Sequence, residues 1–280
     1  PDHYEFKQIH MVDEMDRVIA ALDDFRPDYV VNFAAQGEVP SSFEHPEAHF
    51  RTNTLAMVEL TNALRQRDWL TRYVHISTPE VYGSCAGGVS EDQPMNPSSP
   101  YAASKGAADM FMNILYKTYG FPVVWIRGTN VYGPHQQLYR IIPRTAIYIK
   151  LGRTLRLDGG GVAVKSFIHI RDSSRGTKLA MEQGEDGLIY HLAPDRGRTV
   201  REVVEMVCHK MAADFDTVVE MGPERTGQDK AYVLDSTRAE TTLGWQPTIS
   251  FDDGVGGVID WINDNWAEIS KMDLGYEFKA

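Results

Sequence analysis

The stretch that most constrains this chain runs from Ser77-Thr78-Pro79-Glu80-Val81-Tyr82-Gly83 to Tyr101-Ala102-Ala103-Ser104-Lys105. An apolar run, Arg72-Tyr73-Val74-His75-Ile76, reads as a buried strand; it passes into a Gly-rich polar loop, and Ser98-Ser99-Pro100 then opens a helix. A strand and a helix joined this way belong to an open α/β sheet, whose ligands gather beyond the carboxyl ends of the strands. On the helix, Tyr101 and Lys105 lie one turn apart and share a face. A nearby ammonium favours phenolate over phenol, and the helix N-terminus adds partial positive charge, so Tyr101 is expected to accept a proton near neutral pH. A Tyr-x-x-x-Lys alone is as readily a solvated surface pair; Ser77-Thr78 at the strand end ties this one to a site.

Composition removes several other classes. With 280 residues the chain can bury a large core, as one domain or as a main domain with a smaller appendage. A net charge of -11 offers no basic stripe to replace counterions, which argues against a nucleic-acid partner. No run is apolar enough to span a bilayer, and Pro1-Asp2-His3-Tyr4 shows no leader pattern. Cys85 and Cys208 stand apart, outside any metal or redox spacing, so a reduced cytoplasmic protein without disulfides is expected. The nine histidines are scattered and no metal site is expected; His169 and His191, in apolar runs, read as core or site-lining groups.

Along the chain, residues 6–12 read as a short strand, and a helix with acids in its first turn starts near Asp13. Asp28-Tyr29-Val30-Val31-Asn32-Phe33 is a strand ending in Ala34-Ala35-Gln36, small residues that suit either close approach of a ligand or helix-to-sheet packing. Leu55, Val58, Leu60 and Leu64 recur at helical spacing over 53–67, with Asn53 at its start as a candidate N-cap. A second long helix covers 101–119, with Met110, Phe111, Ile114 and Leu115 apolar. The strand Phe121-Pro122-Val123-Val124-Trp125-Ile126 leads into Arg127-Gly128-Thr129-Asn130-Val131-Tyr132-Gly133-Pro134, read as a turn. Composition then shifts: a helix after Leu138, a turn at Asp158-Gly159-Gly160-Gly161, and a strand from Lys165 running into a helix.

Ser77-Thr78, Glu80-Val81-Tyr82-Gly83, Pro100-Tyr101 with Lys105, and Asn130-Val131-Tyr132-Gly133-Pro134 resemble the extended short-chain dehydrogenase/reductase family of NAD-dependent epimerases and dehydratases, and most of all its nucleotide-sugar 4,6-dehydratases. The resemblance implies a Rossmann-type doubly wound parallel sheet at 1–135 and a smaller, mainly substrate-binding α/β region at 136–280, with some segments returning to the sheet. It implies NAD, with NADP left open, held by Ala34, Ala35, Asn53, Ser77, Tyr101, Lys105 and Gly128. A nucleotide-diphosphate sugar would meet Gln36, Thr78, Asn130, Arg140, Lys165 and Arg225, the last in an Arg225-Thr226-Gly227-Gln228-Asp229 segment like the family's nucleotide-closing loop. Each of these cations is otherwise an ordinary solvent-facing residue. Thr78, Glu80, Tyr101 and Lys105 would carry the chemistry, and the helices near 53–67 and 101–119 would form a homodimer.

Two features depart from the family. No Gly-x-x-Gly-x-x-Gly-type turn precedes Asp28, so the βαβ unit that takes a dinucleotide pyrophosphate is expected to lie outside this sequence. Pro79 stands where dTDP-glucose 4,6-dehydratases carry an Asp that protonates the departing hydroxyl, while the neighbouring Glu80 is kept. The 4,6-dehydratase reading therefore competes with a UDP-hexuronate decarboxylase or epimerase, and with a non-catalytic scaffold.

Overall fold

A computed structural model describes residues 4–84, 88–194, 196–223, 231–276 and 278. The centre is four parallel strands, β1 (Tyr29–Asn32), β2 (Arg72–Ile76), β3 (Val123–Gly128) and β4 (Ile189–Leu192), adjacent in that order. Register aligns Val31 with Val74 and Val74 with Val124, while Trp125 pairs with Ile189. The eight longer helices are α1 (Met15–Phe25), α2 (Ala56–Leu64), α3 (Pro100–Tyr119), α4 (Ile141–Leu151), α5 (Ile170–Gln183), α6 (Val200–Lys210), α7 (Thr237–Leu243) and α8 (Phe251–Asp264).

Alternation along the strands sorts the core into two layers, because successive side chains leave a strand on opposite faces. Tyr73, Val123 and Trp125 pack with Met57, Leu60, Met112 and Leu115 of α2 and α3; Val74, Val124 and Ile126 pack with Ala180 of α5 and with Ala239, Leu243 and Trp245 around α7. Both faces are covered, which explains why β2 and β3 read as unbroken apolar runs. A separate core joins α4, α6 and α8 through Ile142, Val203, Val207, Val258 and Ile262.

Short strands build the remainder. Leu155–Asp158 pairs in parallel with Val219–Gly222. Asn130–Tyr132, expected as a turn, is instead a strand beside Phe167–His169, since its branched and aromatic side chains find a partner edge that only the fold supplies. Residues 6–10 form no ladder and 11–13 turn; the outer edge of β1 pairs with no strand among the described residues, so the expected strand at 6–12 is corrected. The helix expected from Asn53 is broken into Pro46–Phe50, a π turn at Arg51–Leu55, and α2.

Asp172, buried in the first turn of α5, ties that helix to the segment that leads into α8. Its Oδ1 accepts from the Thr248 amide at 3.0 Å, the Thr248 hydroxyl at 2.8 Å and Arg175 at 3.0 Å, and its Oδ2 accepts from the Ile249 amide at 2.9 Å. Burial opposes its charge, and these hydrogen bonds outweigh burial and hold the carboxyl below its ordinary value. Asp172→Ala strands two amides, at about 1–3 kcal/mol each, and urea unfolding at neutral pH should show a loss of about 2–6 kcal/mol. The folded value is depressed, so this stabilisation is full above the ordinary carboxylate pKa of about 3.9 and fades as pH falls through the lower folded value.

Candidate active site

Three devices fix the site at the carboxyl edge of β2. The strand ends at Ile76, and Thr78 caps a single 3₁₀ turn, Pro79–Tyr82, by accepting from the Glu80 amide at 3.3 Å. Pro79, at the first position of that turn, gives up only an amide that would lack a helical acceptor. Gly83 closes the turn with φ +68°, and any Cβ there would meet the Asn96 carbonyl oxygen at 2.3 Å, so only glycine suits the position. Ser99 then caps α3 by accepting from the Ala102 amide at 3.2 Å, with Pro100 at its first position.

This framework brings Thr78, Glu80 and Tyr101 to the wall of one cavity of about 790 Å³. The Thr78 side chain hydrogen-bonds Tyr101, and the Glu80 charge acts on the same phenol. The Tyr101 value is nevertheless raised: burial comes first, the Glu80 carboxylate adds to it, and the Thr78 bond and Arg140 oppose them. Among the protein's own groups, burial therefore outweighs the cation that favours the phenolate. Sequence spacing showed the lysine but not the burial.

Lys105 lies beneath the cavity and is almost fully buried. Its ammonium donates to the Ile76 carbonyl at 2.7 Å and stands 3.5 Å from His75 Nε2. Burial pushes its value down to about 8, with Asp109 opposing. Asn53 is not an N-cap: it is fully buried in the π turn, where its Oδ1 accepts from the Gln36 amide at 2.8 Å and its Nδ2 donates to the Gln36 carbonyl at 3.0 Å and to Ser104 Oγ at 3.0 Å. One side chain thereby clamps the loop after β1 to the catalytic helix.

Ser77, Gly128, Asn130, Arg140 and Lys165 also line the cavity. Ala34, Ala35 and Gln36 fall outside its lining, between Phe33 and Gly37, which are within it. Asn130 Nδ2 donates to the Ser166 carbonyl at 3.0 Å, and Arg140 bridges to Glu38 at 2.6 Å. Arg225 lies outside the described residues. Sequence reasoning missed Glu38, Tyr139 and Tyr276 in the wall. Tyr276 packs edge-on to Tyr139 at 5.4 Å and its hydroxyl meets Ser41 Oγ at 3.3 Å; contacts spanning 235 residues leave no local sequence signal. Among the described residues no group of His, Cys, Asp and Glu is placed to hold a metal, and no helix is long and apolar enough to cross a membrane.

A parallel sheet with threonine, glutamate, tyrosine and lysine converging at one strand end is the architecture of the extended short-chain dehydrogenase/reductases. The chain belongs, within that class, to the family described as GDP-mannose 4,6 dehydratase, which matches residues 1–257. A dTDP-glucose 4,6-dehydratase of Streptomyces antibioticus is 35% identical over 252 residues, 89% of this chain and 75% of the relative. One from Streptomyces niveus is 34% identical, over 97% of this chain and 80% of its own length. The solved dTDP-glucose 4,6-dehydratase of Streptomyces venezuelae, with NAD bound, superposes with a TM-score of 0.86 at 33% identity, covering 91% of this chain and 79% of that one.

Proposed function

We propose that this chain is an NAD-dependent nucleotide-hexose 4,6-dehydratase. The observation that carries this reading is the placement of Glu80 beside the Thr78–Tyr101 pair in one cavity at the carboxyl edge of the sheet. The 35% identical dTDP-glucose 4,6-dehydratase and its structurally similar counterpart with NAD bound support the same activity and cofactor.

The residues present suit the nicotinamide half of the cofactor. Ile76, Ser77, Ile126, Gly128 and Thr129 line the cavity where strands end, and the buried Thr129 hydroxyl has no hydrogen-bond partner among the described residues. Lys105 adds a buried ammonium directly below. We assign Ala34, Ala35, Asn53, Ser77, Tyr101, Lys105 and Gly128 to the binding of the dinucleotide as a whole, within a dinucleotide-binding part at 1–135 and a mainly substrate-binding part at 136–280. NAD, when bound, supplies the hydride acceptor for C4, a positive ring, and the hydride returned to C6.

Tyr101 takes the C4 hydroxyl proton as the C4 hydride departs, and Thr78 holds the same oxygen. That acceptance requires the phenol's own proton to have left first, a loss favoured by the Arg140 charge that opposes burial at Tyr101 and, in this proposal, by the buried Lys105 ammonium one helical turn away. The C4 ketone acidifies C5–H, and Glu80 removes that proton. Pro79 has no proton to give, so Glu80 passes the proton it took from C5 to the C6 hydroxyl, which leaves as water. When a hydride is added at C6 and a proton from solvent at C5, with the proton held by Tyr101 released to solvent, the sugar has lost one water.

Asn130, Arg140, Lys165, Gln36 and Arg225 are proposed to meet the nucleotide diphosphate. Arg140 and Lys165 both line the cavity, Arg140 bridging Glu38, and Lys165 is proposed to supply diphosphate charge. A charge-assisted contact is worth about 1.5–3 kcal/mol, so Lys165→Ala should raise KM by roughly 10- to 100-fold with kcat nearly unchanged, as read in steady-state assays. Lysine lacks the paired donors of arginine, so Lys165→Arg should lower KM.

A homodimer through α3 and the 53–67 region is part of the proposal. Met110 and Ile114 are more than half exposed one turn apart on α3, and Leu55 is exposed on the neighbouring turn. Ile114→Glu should convert a dimer to a monomer in analytical ultracentrifugation. A reduced, cytoplasmic setting agrees with the free thiol of buried Cys208.

A further inference from the structure

Beneath the strand end lies a buried charged cluster whose hub, Asp109, none of the steps above uses. Asp109 is its hub: Oδ2 accepts from Ser77 Oγ at 2.6 Å and from Arg127 Nη2 at 2.8 Å. Oδ1 has no hydrogen-bond partner among the described residues and stands 3.6 Å from His75 Nε2, the same nitrogen that lies 3.5 Å from Lys105 Nζ. Arg127 Nη1 donates to the Tyr82 hydroxyl at 2.5 Å, and that hydroxyl meets His191 Nε2 at 2.7 Å. Asp109 and Arg127 are 2% and 1% exposed, so solvent does little to screen their charges.

The sequence places these groups by simple periodicities. Tyr101, Lys105 and Asp109 occupy successive turns of α3, hence one stripe along it. His75 and Ser77 alternate along β2 onto one side, and Arg127 reaches the same carboxylate from β3. Buried ions of this kind cost several kcal/mol of desolvation each, and a structural role would be served as well by apolar packing. The arrangement is specific to charge: it contains two cations, Lys105 and Arg127, and one anion. His75 is held neutral, first by burial and then by those two cations.

We propose that Asp109 is a positioning residue for the reaction, anchoring the Ser77 end of β2, which carries Thr78 and Glu80, and securing the positive charge of Lys105. The inference rests on the dehydratase reading for its catalytic meaning, while its electrostatic content belongs to the protein alone. The titratable groups around Lys105 are Tyr101 and Asp109 on α3, His75 on β2, Arg127 on β3, Glu80 and Tyr82 on the 79–82 turn, and His49, edge-on to Tyr101 at 6.1 Å. Of the two cations, arginine keeps its proton in proteins and lysine gives it up when buried. Loss of the Asp109 charge therefore falls on Lys105, whose charged form burial already disfavours.

The test is an NMR titration of protein carrying ¹³C-labelled lysine, with the Lys105 signal assigned by its loss in Lys105→Met. Asp109→Asn should lower the Lys105 midpoint by about one unit or more, and Ser77→Ala, which keeps every charge, should leave it within a few tenths. Arg127→Met removes a cation instead and should move the midpoint upward, so opposite shifts are expected from two variants that both disrupt the same pair. In turnover assays, the alkaline limb of kcat for Asp109→Asn should move down with the midpoint, a loss of about fivefold at pH 8, while KM for the nucleotide sugar stays within about twofold. A midpoint unmoved, or moved in the same direction by both Asp109→Asn and Arg127→Met, overturns the inference; whichever variant folds tests its own predicted sign. Wild-type protein inactive on every nucleotide hexose would overturn the dehydratase reading alone, with the titration still deciding for or against Asp109.

Discussion

Glu80→Gln is expected to lower kcat for the complete dehydration by about 10²–10⁴, the usual worth of a positioned proton-transfer group. Glutamine preserves the shape of the 3₁₀ turn and the backbone bond from residue 80 to Thr78, so the loss isolates the proton carried by the carboxylate. In the proposed reaction sequence Pro79 gives no help, so one side chain serves both the C5 proton and the departing hydroxyl. Oxidation at C4 does not use Glu80. A single turnover with Glu80→Gln should therefore still develop the absorbance of reduced nicotinamide and then stall, with the C6 hydroxyl intact. Normal turnover by this variant would mean that the elimination is assigned to the wrong residue.

Tyr101→Phe has the second large effect, and it acts one step earlier. Without the phenol oxygen nothing takes the C4 hydroxyl proton, so the reduced-nicotinamide signal itself should fall by about 10²–10⁴ in rate. Thr78 and Lys105 remain in place and substrate affinity should change little, since the lost interaction is made in the transition state. The contrast between the two variants, one stalled after oxidation and one before it, separates the two proton transfers that share the cavity.

Local sequence carried the central geometry because it lies on one strand, one turn and one helix. Thr78 and Glu80 belong to the turn that ends β2, and Tyr101 and Lys105 are fixed by helical period on α3. What local pattern cannot carry is burial and long-range partnership. The Tyr101 phenol is pushed up rather than down because burial outweighs its neighbours. Asn53 looked like a helix cap and is instead the clamp on Gln36, a role visible only when the loop after β1 is brought against it. The strand at Asn130–Tyr132 needed Phe167–His169 beside it. The Glu38–Arg140 bridge and the Tyr276 wall join segments about a hundred or more residues apart, beyond the reach of any periodicity.

Mass spectrometry of the nucleotide-sugar product most directly tests the claim that this cavity oxidises C4 and expels the C6 hydroxyl. Incubating the protein with NAD and a panel of nucleoside diphosphate hexoses should yield a product lighter than its substrate by one water, and Glu80→Gln should abolish that change. A product of unchanged mass, or a hexuronate lighter by carbon dioxide, would contradict the account.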